Sequence, residues 1–304
     1  MKPIKSILLT FDVEGWFQAE NFKNHIPFSS WPDRELRVER NTRTLLDVLD
    51  GMPRNGSNGT LSKTAPKATF FVLGWLAKRL PHLVREIAAR GHEIASHGFN
   101  HNLCCDCTPA QLREDLSDSK KILEDITGVE VQGYRAPSFS IGPDVLDIIE
   151  GCGYTYDSSF NSFAGNSRYG QLHLVQNGRG IAGRVLPSLY ELPISNLRVG
   201  KYTIPMGGGG YFRVAPNALF KRAVRSIMRK QGAYLFYMHP WEIDPEQPRV
   251  KELPLSYKFR HYINLAGTAP KLVDFISAFS DCRFLTCRDY LDRVRESDSG
   301  NSTQ

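Results

Sequence analysis

Short apolar segments that alternate with helix-period segments constrain the fold of this chain more than any other sequence feature. The predicted strands cover residues 6–11, 67–72, 93–96, a stretch near 154, 189–193 and 233–238. The first strand is expected to end in a polar loop at Asp12. Because strands separated by helices usually pair in parallel, the alternation predicts an α/β architecture, either barrel-like or doubly wound.

Two of the intervening helices carry signals at both ends. Pro81 occupies a first-turn position and Gly91 closes the first helix, whereas Thr108 caps the second helix and Gly128 ends it. A third helix, 220–230, has one apolar side and one strongly basic side. It could contact a membrane or an acidic partner, but such a helix is more often a core helix with a solvated charged face.

Composition is typical of an ordinary globular protein. Of the 304 residues, 41% are hydrophobic, and 38 Lys and Arg exceed 32 Asp and Glu to give a net charge of +6. This mild charge would suit an acidic polymer or a membrane surface, although an ordinary basic surface is the simpler interpretation, and no nucleic-acid binding is predicted. No apolar run approaches the roughly 20 residues of a transmembrane segment, and the run at 7–11 is too short for a signal peptide.

The cysteines point to a reducing compartment. Three of the six lie within residues 104–107. Because a disulfide framework is not expected without an export signal, we predict reduced thiols and a cytoplasmic location, with a soft-metal site at 104–107 as a minor alternative. The polar stretch 55–66 is predicted to be a loop insertion, and residues 297–304 a disordered tail.

Polar groups able to bind a metal follow two of the predicted strands. His97 and His101 lie four residues apart after strand 93–96, and Asp12 and Glu14 follow the first strand with the spacing that points both side chains the same way. Three such ligands would leave a coordination position open for water, and the spare carboxylate could act as a base. Because ligands gather where strands of parallel α/β proteins end, the four residues are predicted to form one site.

Two further segments could complete this site. Arg135, in a loop stiffened by Pro137, could hold a carboxylate through two hydrogen bonds. His239 follows the apolar strand 233–238, where a general acid would be well placed. Taken singly, each has an ordinary explanation as a surface arginine or a core histidine. The glycine-rich run 206–213 could supply a mobile wall for a sugar pocket, or could be a plain flexible loop.

The segments TFDVE, SHGFNH, RAPSF, YDSS and LFYMH occur in the order of the five motifs of the polysaccharide deacetylases, also called family-4 carbohydrate esterases. The chain resembles that family from about residue 6 to residue 239. Beyond it, HPWEID and KFRHYINL are similar to the C-terminal extension of a subgroup found with bacterial exopolysaccharide export and exosortase systems. The resemblance implies a distorted (β/α) barrel of about seven strands, with a catalytic domain over 1–245 and an extension over 246–296 packed on it.

Carried over residue by residue, the resemblance implies that Asp12 is the catalytic base, His239 the general acid and Arg135 the residue that orients the base. A divalent metal would be held by Glu14, His97 and His101. Zn²⁺ is the default metal, with Co²⁺, Ni²⁺ or Fe²⁺ as alternatives. Most of the family has two adjacent aspartates where this chain has Asp-Val-Glu, so the division of roles between the first two carboxylates is open. The predicted substrate-binding residues are Trp16, Phe139, Asp157, Tyr211 and Trp241.

The implied activity is hydrolysis of the N-acetyl amide bond of an amino-sugar glycan, or of its nucleotide-linked or lipid-linked precursor. Two alternatives stay open. Relatives with a DxE or DxD first motif include amidohydrolases that act on small cyclic ureides or imides, and the chain could also be a non-catalytic sugar-binding component of an export complex. Release of acetate from an N-acetylated oligosaccharide would distinguish the deacetylase from these two alternatives.

Overall fold

The structure is a computed structural model that describes residues 5–52, 65–163, 172 and 180–301. Its strands are β1 (Ser6–Val13), β2 (Ala68–Val72), β3 (Glu93–Ser96), β4 (Gly133–Tyr134), β5 (Tyr156–Asp157), β6 (Gly183–Arg184), β7 (Tyr190–Glu191), β8 (Leu197–Val199), β9 (Tyr202–Ile204), β10 (Ala233–Met238) and β11 (Arg283–Phe284). Its helices are α1 (Val38–Asp50), α2 (Gly74–Arg79), α3 (Pro81–Ala89), α4 (Pro109–Thr127), α5 (Pro143–Gly151), α6 (Gly209–Val214), α7 (Asn217–Gln231), α8 (Leu255–Tyr262), α9 (Leu265–Ala278) and α10 (Cys287–Asn301).

One curled, mainly parallel sheet forms the centre of the molecule. Its strand order is β10-β1-β2-β3-β4-β5-β7-β6, with β11 also paired to β1, and the edge strand β6 is antiparallel to β7. At the other edge, the backbone N–H of Tyr237 donates to Gly207 and that of Leu235 donates to the Ser195 hydroxyl, so the chain that follows β7 returns to β10. Seven consecutive parallel strands that curl towards closure confirm the predicted α/β class and the distorted barrel.

Most predicted elements are present with ends shifted by a few residues. The Thr108 hydroxyl accepts a hydrogen bond from the backbone N–H of Gln111 at the start of α4, and this helix ends at Gly128 as predicted. The prediction for Asp12 was wrong, because β1 continues to Val13 and Asp12 pairs with Phe71 of β2. Backbone pairing with neighbouring strands outweighs the low strand propensity of an aspartate.

The inside of the curled sheet is a compact apolar core that α10 closes at one end. Side chains of β1, β2, β5, β7 and β10 meet there with residues of α10. At the start of α10, the backbone N–H of Cys287 donates to the Thr69 hydroxyl and that of Arg288 donates to the carboxylate of Glu93. Thr69 and Glu93 lie near the amino-terminal ends of β2 and β3. The opposite end, where the strands terminate, is therefore the end available for a site.

The C-terminal part of the chain is built onto the same sheet. β11 pairs with β1, and α9 packs against α7 and against the turn Pro240–Ile243. The predicted boundary at 245 stays a prediction. The expectation of a disordered tail from 297 was wrong for residues 297–301, because the backbone of α10 is helical as far as Asn301. Tyr290 and Leu291 anchor the first turns of α10 in the core. Each later residue can then extend the helix by one backbone hydrogen bond, even where its side chain is polar. Residues 302–304 and 55–64 lie outside the described ranges.

Helix α7 confirms the simpler interpretation of the basic segment 220–230. Its apolar side chains, among them Phe220, Val224 and Ile227, are buried, and its basic side is exposed. The apolar side of this helix is therefore not available to a membrane. Among the helices of the described residues, none is long and apolar enough to cross a bilayer.

Candidate active site

Polar side chains from four strand ends converge on one pocket at the carboxyl end of the sheet. Asp12 belongs to the end of β1, His97 follows β3, and His239 follows β10. Arg135 follows β4 and lies fully buried beneath them. The pocket has a volume of about 810 Å³, and the first three residues line it. The sequence prediction that these residues come together is thus consistent with their positions.

Glu14, His97 and His101 form a buried cluster whose potential ligand atoms all lie within 4.8 Å of one another. The Nε2 atom of His101 is 2.7 Å from Oε2 of Glu14. The Nδ1 atom of His97 is 2.8 Å from the backbone oxygen of Arg135, so in the Nδ1–H tautomer this nitrogen donates and Nε2 faces the cluster. Burial lowers the pKa of His97 to about 4, which keeps its imidazole neutral at neutral pH. This is the protonation state of a metal ligand.

The loop that carries the two histidines is held in an uncommon conformation. His101 has a φ of 58°, in the left-handed region that residues other than glycine seldom adopt. The carboxylate of Asp115 accepts hydrogen bonds from the backbone N–H groups of Phe99 and Asn100 between the histidines. Strained backbone of this kind persists where the surroundings enforce it, and it is frequent at functional sites.

Asp12 is fixed by an ion pair with Arg135. The Nη1 atom of Arg135 donates to Oδ1 of Asp12 over 2.7 Å and to the Thr10 hydroxyl over 2.8 Å. Its Nε and Nη2 atoms donate to the backbone oxygen and the hydroxyl of Ser158. Four hydrogen bonds therefore hold the guanidinium group of Arg135. The second carboxylate oxygen of Asp12, Oδ2, lies 3.9 Å from Nε2 of His239.

His239 lies between carboxylates on both sides. Its Nδ1 atom is 2.9 Å from Oε1 of Glu242, and its Nε2 atom is 3.6 Å from Oε1 of Glu14. Burial by itself lowers the pKa of His239, but Glu14, Glu242 and Asp12 outweigh it and raise the pKa to about 9. This histidine is thus protonated at neutral pH and can donate a proton.

A buried ion pair supports His239 from behind. The Nε atom of Arg213 donates to Oε2 of Glu242 over 2.7 Å. Burial raises the pKa of Glu242, but the charges of Arg213 and His239 outweigh it and lower the pKa to about 2. Glu242 therefore stays ionised, which fixes the His239 ring and favours its charged form.

Trp241 links His239 to the cluster of Glu14, His97 and His101. Its indole N–H donates to Oε1 of Glu14 over 3.1 Å, and its ring stacks on His239 with centroids 5.1 Å apart. Its other stacking partner is His261, at 4.1 Å. Trp241 thus orients Glu14 while lining the pocket.

The structure separates the five residues predicted to bind substrate. Phe139, Tyr211 and Trp241 line the pocket, but Trp16 and Asp157 do not. Trp16 is 4% exposed and its indole N–H donates to the backbone oxygen of Glu35, so it belongs to the core. The prediction for Trp16 was wrong because its ring packs among core residues and does not line the pocket.

Asp157 is fully buried at the end of β5, and its prediction as a pocket residue was also wrong. Its carboxyl group accepts a hydrogen bond from the Ser159 hydroxyl over 2.6 Å and lies against Glu191. Burial raises the pKa of Asp157. The side chain therefore stabilises the turn that follows β5, where Ser159 donates to it from both its backbone N–H and its hydroxyl.

The glycine-rich run 206–213 lines the pocket as predicted, but it is packed against β10 and partly helical instead of forming a loose loop. Gly208 forms a parallel bridge with Tyr237 at a φ of 137°, where a Cβ atom would lie 1.9 Å from the Tyr237 backbone oxygen. The residues that follow form α6, in which Phe212 is fully buried. Only glycine permits this close approach to β10.

Sequence reasoning missed Arg213, Glu242 and His261. A signal existed for Glu242, since an acid three residues after a histidine can reach its ring across one helical turn. No local signal could have paired Arg213 with Glu242, because 29 residues separate them in the chain.

The cysteine segment 104–107 does not form a metal site in the part of the chain that the structure describes. Within that part, Glu14, His97 and His101 are the residues whose ligand atoms cluster closely enough to hold an ion. Cys104 is buried, with its sulfur 3.3 Å from the Tyr134 hydroxyl, and Cys105 is exposed. The soft-metal alternative therefore has no support.

Comparison with known proteins relates two parts of the chain to family models. Residues 58–156 match the family model of the polysaccharide deacetylases, and residues 158–292 match that of a domain of unknown function, DUF3473. Residues 58–156 are thus similar to the polysaccharide deacetylases, the family-4 carbohydrate esterases. The second match crosses the predicted domain boundary at 245.

Two curated relatives are each 33% identical to part of the chain. The peptidoglycan deacetylase-like protein FGM2 of Gibberella zeae aligns with 32% of this chain and 29% of its own length. A peptidoglycan-N-acetylglucosamine deacetylase of Bacillus cereus aligns with 29% of this chain and 41% of its own length. The chain thus spans less than half of these relatives. A solved Mycobacterium smegmatis structure, assigned to the polysaccharide deacetylases, shares the fold over 98% of this chain and 92% of its own, with a TM-score of 0.61 and 20% identity.

Proposed function

We propose that this chain is a metal-dependent deacetylase that hydrolyses the N-acetyl amide bond of an amino sugar in a glycan or glycan precursor. One observation carries the proposal: a buried His-His-carboxylate cluster shares a pocket with an arginine-fixed carboxylate and a protonated histidine. Of the two curated relatives named above, one is a peptidoglycan-N-acetylglucosamine deacetylase and the other is a peptidoglycan deacetylase-like protein. Their names support an N-acetylated saccharide as the substrate class.

The donor set of the cluster suits a divalent cation. Two imidazoles and one carboxylate are ligands that Zn²⁺ prefers, so we propose Zn²⁺ held by Glu14, His97 and His101, with Co²⁺, Ni²⁺ or Fe²⁺ as alternatives. The buried, neutral His97 fits this role, because its Nδ1 atom is engaged and its Nε2 atom is free to bind. When bound, such a cation polarises an amide carbonyl and makes a nearby water more acidic.

Asp12 and His239 divide the proton transfers. Asp12 takes a proton from the attacking water as the new C–O bond forms, and Arg135 holds its other oxygen so that the free one faces the pocket. His239, protonated at neutral pH, gives a proton from Nε2 to the amide nitrogen as the C–N bond breaks. Acetate and a free amine are the products.

The pocket walls support a sugar as the group that carries the amide. Phe139, Tyr211 and Trp241 present aromatic surface beside the polar groups, a combination that suits a ring with one apolar face and hydroxyl groups. We further propose that the substrate belongs to exopolysaccharide biosynthesis and is met before export, in the cytoplasm. The six free cysteines support a reducing compartment.

Acetate release from N-acetylglucosamine oligosaccharides, measured together with bound metal by elemental mass spectrometry, tests the proposal. We expect stoichiometric metal and acetate release in the wild type, and loss of both in His97→Ala. His82→Ala is the matched control, because His82 is half exposed and pairs with Glu39 on the surface. Ring opening of cyclic ureides without acetate release would instead favour the amidohydrolase alternative, and saccharide binding without any hydrolysis would favour a binding component.

The roles of Asp12 and Glu14 can be separated with the same measurements. Asp12→Asn should keep the metal and lose acetate release, whereas Glu14→Gln should lose the metal. The reverse pattern would assign Asp12 as the ligand and Glu14 as the base.

A further inference from the structure

Exposed apolar side chains are concentrated at the mouth of the pocket. Eleven large hydrophobic side chains are exposed among the described residues, and five of them lie on α6 and α8. We call these five the apolar rim: Tyr211, Val214, Leu255, Tyr257 and Phe259. Four of them line the pocket, and Leu255 lies one helical turn before Phe259 on the same side of α8. The rim is therefore one surface around the pocket entrance.

The exposure of the rim is unusually high for apolar residues. Leu255 is 83% exposed, Phe259 62% and Val214 52%. Such a group next to a pocket is a common feature of interaction surfaces, whereas single exposed apolar residues need no explanation.

The positive charge of the protein is concentrated in the same part of the chain. Residues 192–262, which contain α6, α7 and α8, include twelve Lys and Arg and four Asp and Glu, compared with 38 and 32 in the whole chain. From 192 to 241 there are eight basic residues and no acidic one. At the entrance itself, Arg260 lines the pocket and Lys258 lies between two rim residues in the sequence. Apart from this segment, the chain has no excess of positive charge.

We propose that the apolar rim binds the surface of an anionic lipid bilayer. Leu255 and Phe259 would enter the boundary between headgroups and acyl chains, while Lys258 and Arg260 contact anionic headgroups. Exposed aliphatic and aromatic residues beside Lys and Arg are the combination by which peripheral helices bind such surfaces. The excess of positive charge in this segment is what favours an anionic bilayer as the partner.

Binding in this way would turn the pocket entrance towards the lipid headgroups. The substrate would then be a saccharide carried on a membrane lipid, and this consequence rests on the proposed deacetylase function. The binding surface itself does not rest on it, because α6 and α8 present the rim whatever reaction the pocket catalyses. A binding assay without turnover therefore tests the rim separately.

Vesicle flotation measures the binding directly. The full-length protein is mixed with vesicles of phosphatidylcholine alone or with phosphatidylglycerol added, at low and high salt. We expect binding to the anionic vesicles that weakens with salt, and little binding to the neutral ones. Leu255→Glu should weaken it several-fold, and the pair Leu255→Glu with Phe259→Glu at least about tenfold, because two inserting groups become two negative charges.

Val129→Glu is the matched control. Val129 is also 52% exposed, but it follows α4 at the amino-terminal end of β4, on the far side of the barrel from the pocket. This variant should bind vesicles like the wild type, and circular dichroism should show that all variants are folded. Absence of binding to anionic vesicles, or equal binding by the rim and control variants, would overturn the proposal. So would a dimer, seen by sedimentation velocity, that Leu255→Glu dissociates while vesicles stay unbound.

Discussion

Replacing Glu242 by glutamine removes one of the three carboxylates that raise the pKa of His239. The side chain of Glu242 is the one that contacts the His239 ring directly, at 2.9 Å from Nδ1. A glutamine keeps the size of the side chain and one acceptor oxygen but not the charge. Arg213 would keep its hydrogen bonds to the backbone oxygens of Arg260, His261 and Ile263, so we expect the fold to survive.

The size of the effect follows from the pKa of His239. It is raised from 6.5 to about 9, which corresponds to about 3 kcal/mol of preference for the charged form. The charges of Glu14, Glu242 and Asp12 together raise the pKa of His239, and burial opposes them by lowering it. If Glu242 supplies roughly one third, Glu242→Gln lowers the pKa of His239 by about one unit, or about 1.4 kcal/mol.

The expected result is a change in pH dependence rather than a uniform loss. His239 must be protonated to donate, so activity falls as pH rises through its pKa. At pH 6 the variant should release acetate nearly as fast as the wild type, and above pH 9 about tenfold more slowly. Initial rates of acetate release from pH 5 to 10 measure this.

Glu246→Gln is the control for this experiment. Glu246 lies in the same segment, its side chain is 78% exposed, and it is 3.8 Å from the guanidinium of Arg37. Its pH profile should match that of the wild type. An unchanged basic limb in Glu242→Gln, or a loss by the same factor at every pH, would refute the reasoning that this carboxylate sets the protonation of the acid.

Three further predictions concern stability and the metal cluster. Arg135→Lys should abolish most acetate release and reduce the free energy of unfolding by about 2–4 kcal/mol in urea titrations, because one ammonium cannot replace four buried hydrogen bonds. Burial and Arg213 lower the pKa of His261 to about 3. Below pH 6.5 the unfolded chain therefore binds more protons at this residue than the folded chain, and the free energy of unfolding falls as the pH falls. Between pH 7 and pH 5 the wild type should lose about 2 kcal/mol more of its free energy of unfolding than His261→Gln. Gly98→Ala should cost about 1–2 kcal/mol and weaken metal binding by elemental analysis, because Gly98 has a φ of 76° and a Cβ atom would lie 2.8 Å from Asp115.

Much of the fold and the polar part of the site could be predicted because their signals are local. A buried strand is an apolar run, and a helix end is a cap and a glycine, so β2, β3, α4 and β10 lie close to their predicted positions. The residues that follow parallel strands meet at one edge of a sheet whatever the details of the packing. That is why Asp12, His97 and His239 could be assigned to one site from the sequence, although their chemical roles stay predictions.

The sequence by itself therefore determined the fold class, several of the strands and helices, and which polar residues stand at the carboxyl ends of the strands. Only the tertiary structure decided which way side chains near those ends point. Asp157 lies within the YDSS motif and Trp16 lies two residues after TFDVE, yet packing buries both, and neither lines the pocket. The support of His239 by Glu242 and Arg213 joins segments that have no local relation in the sequence, and a contact of that kind arises only when the whole chain is packed.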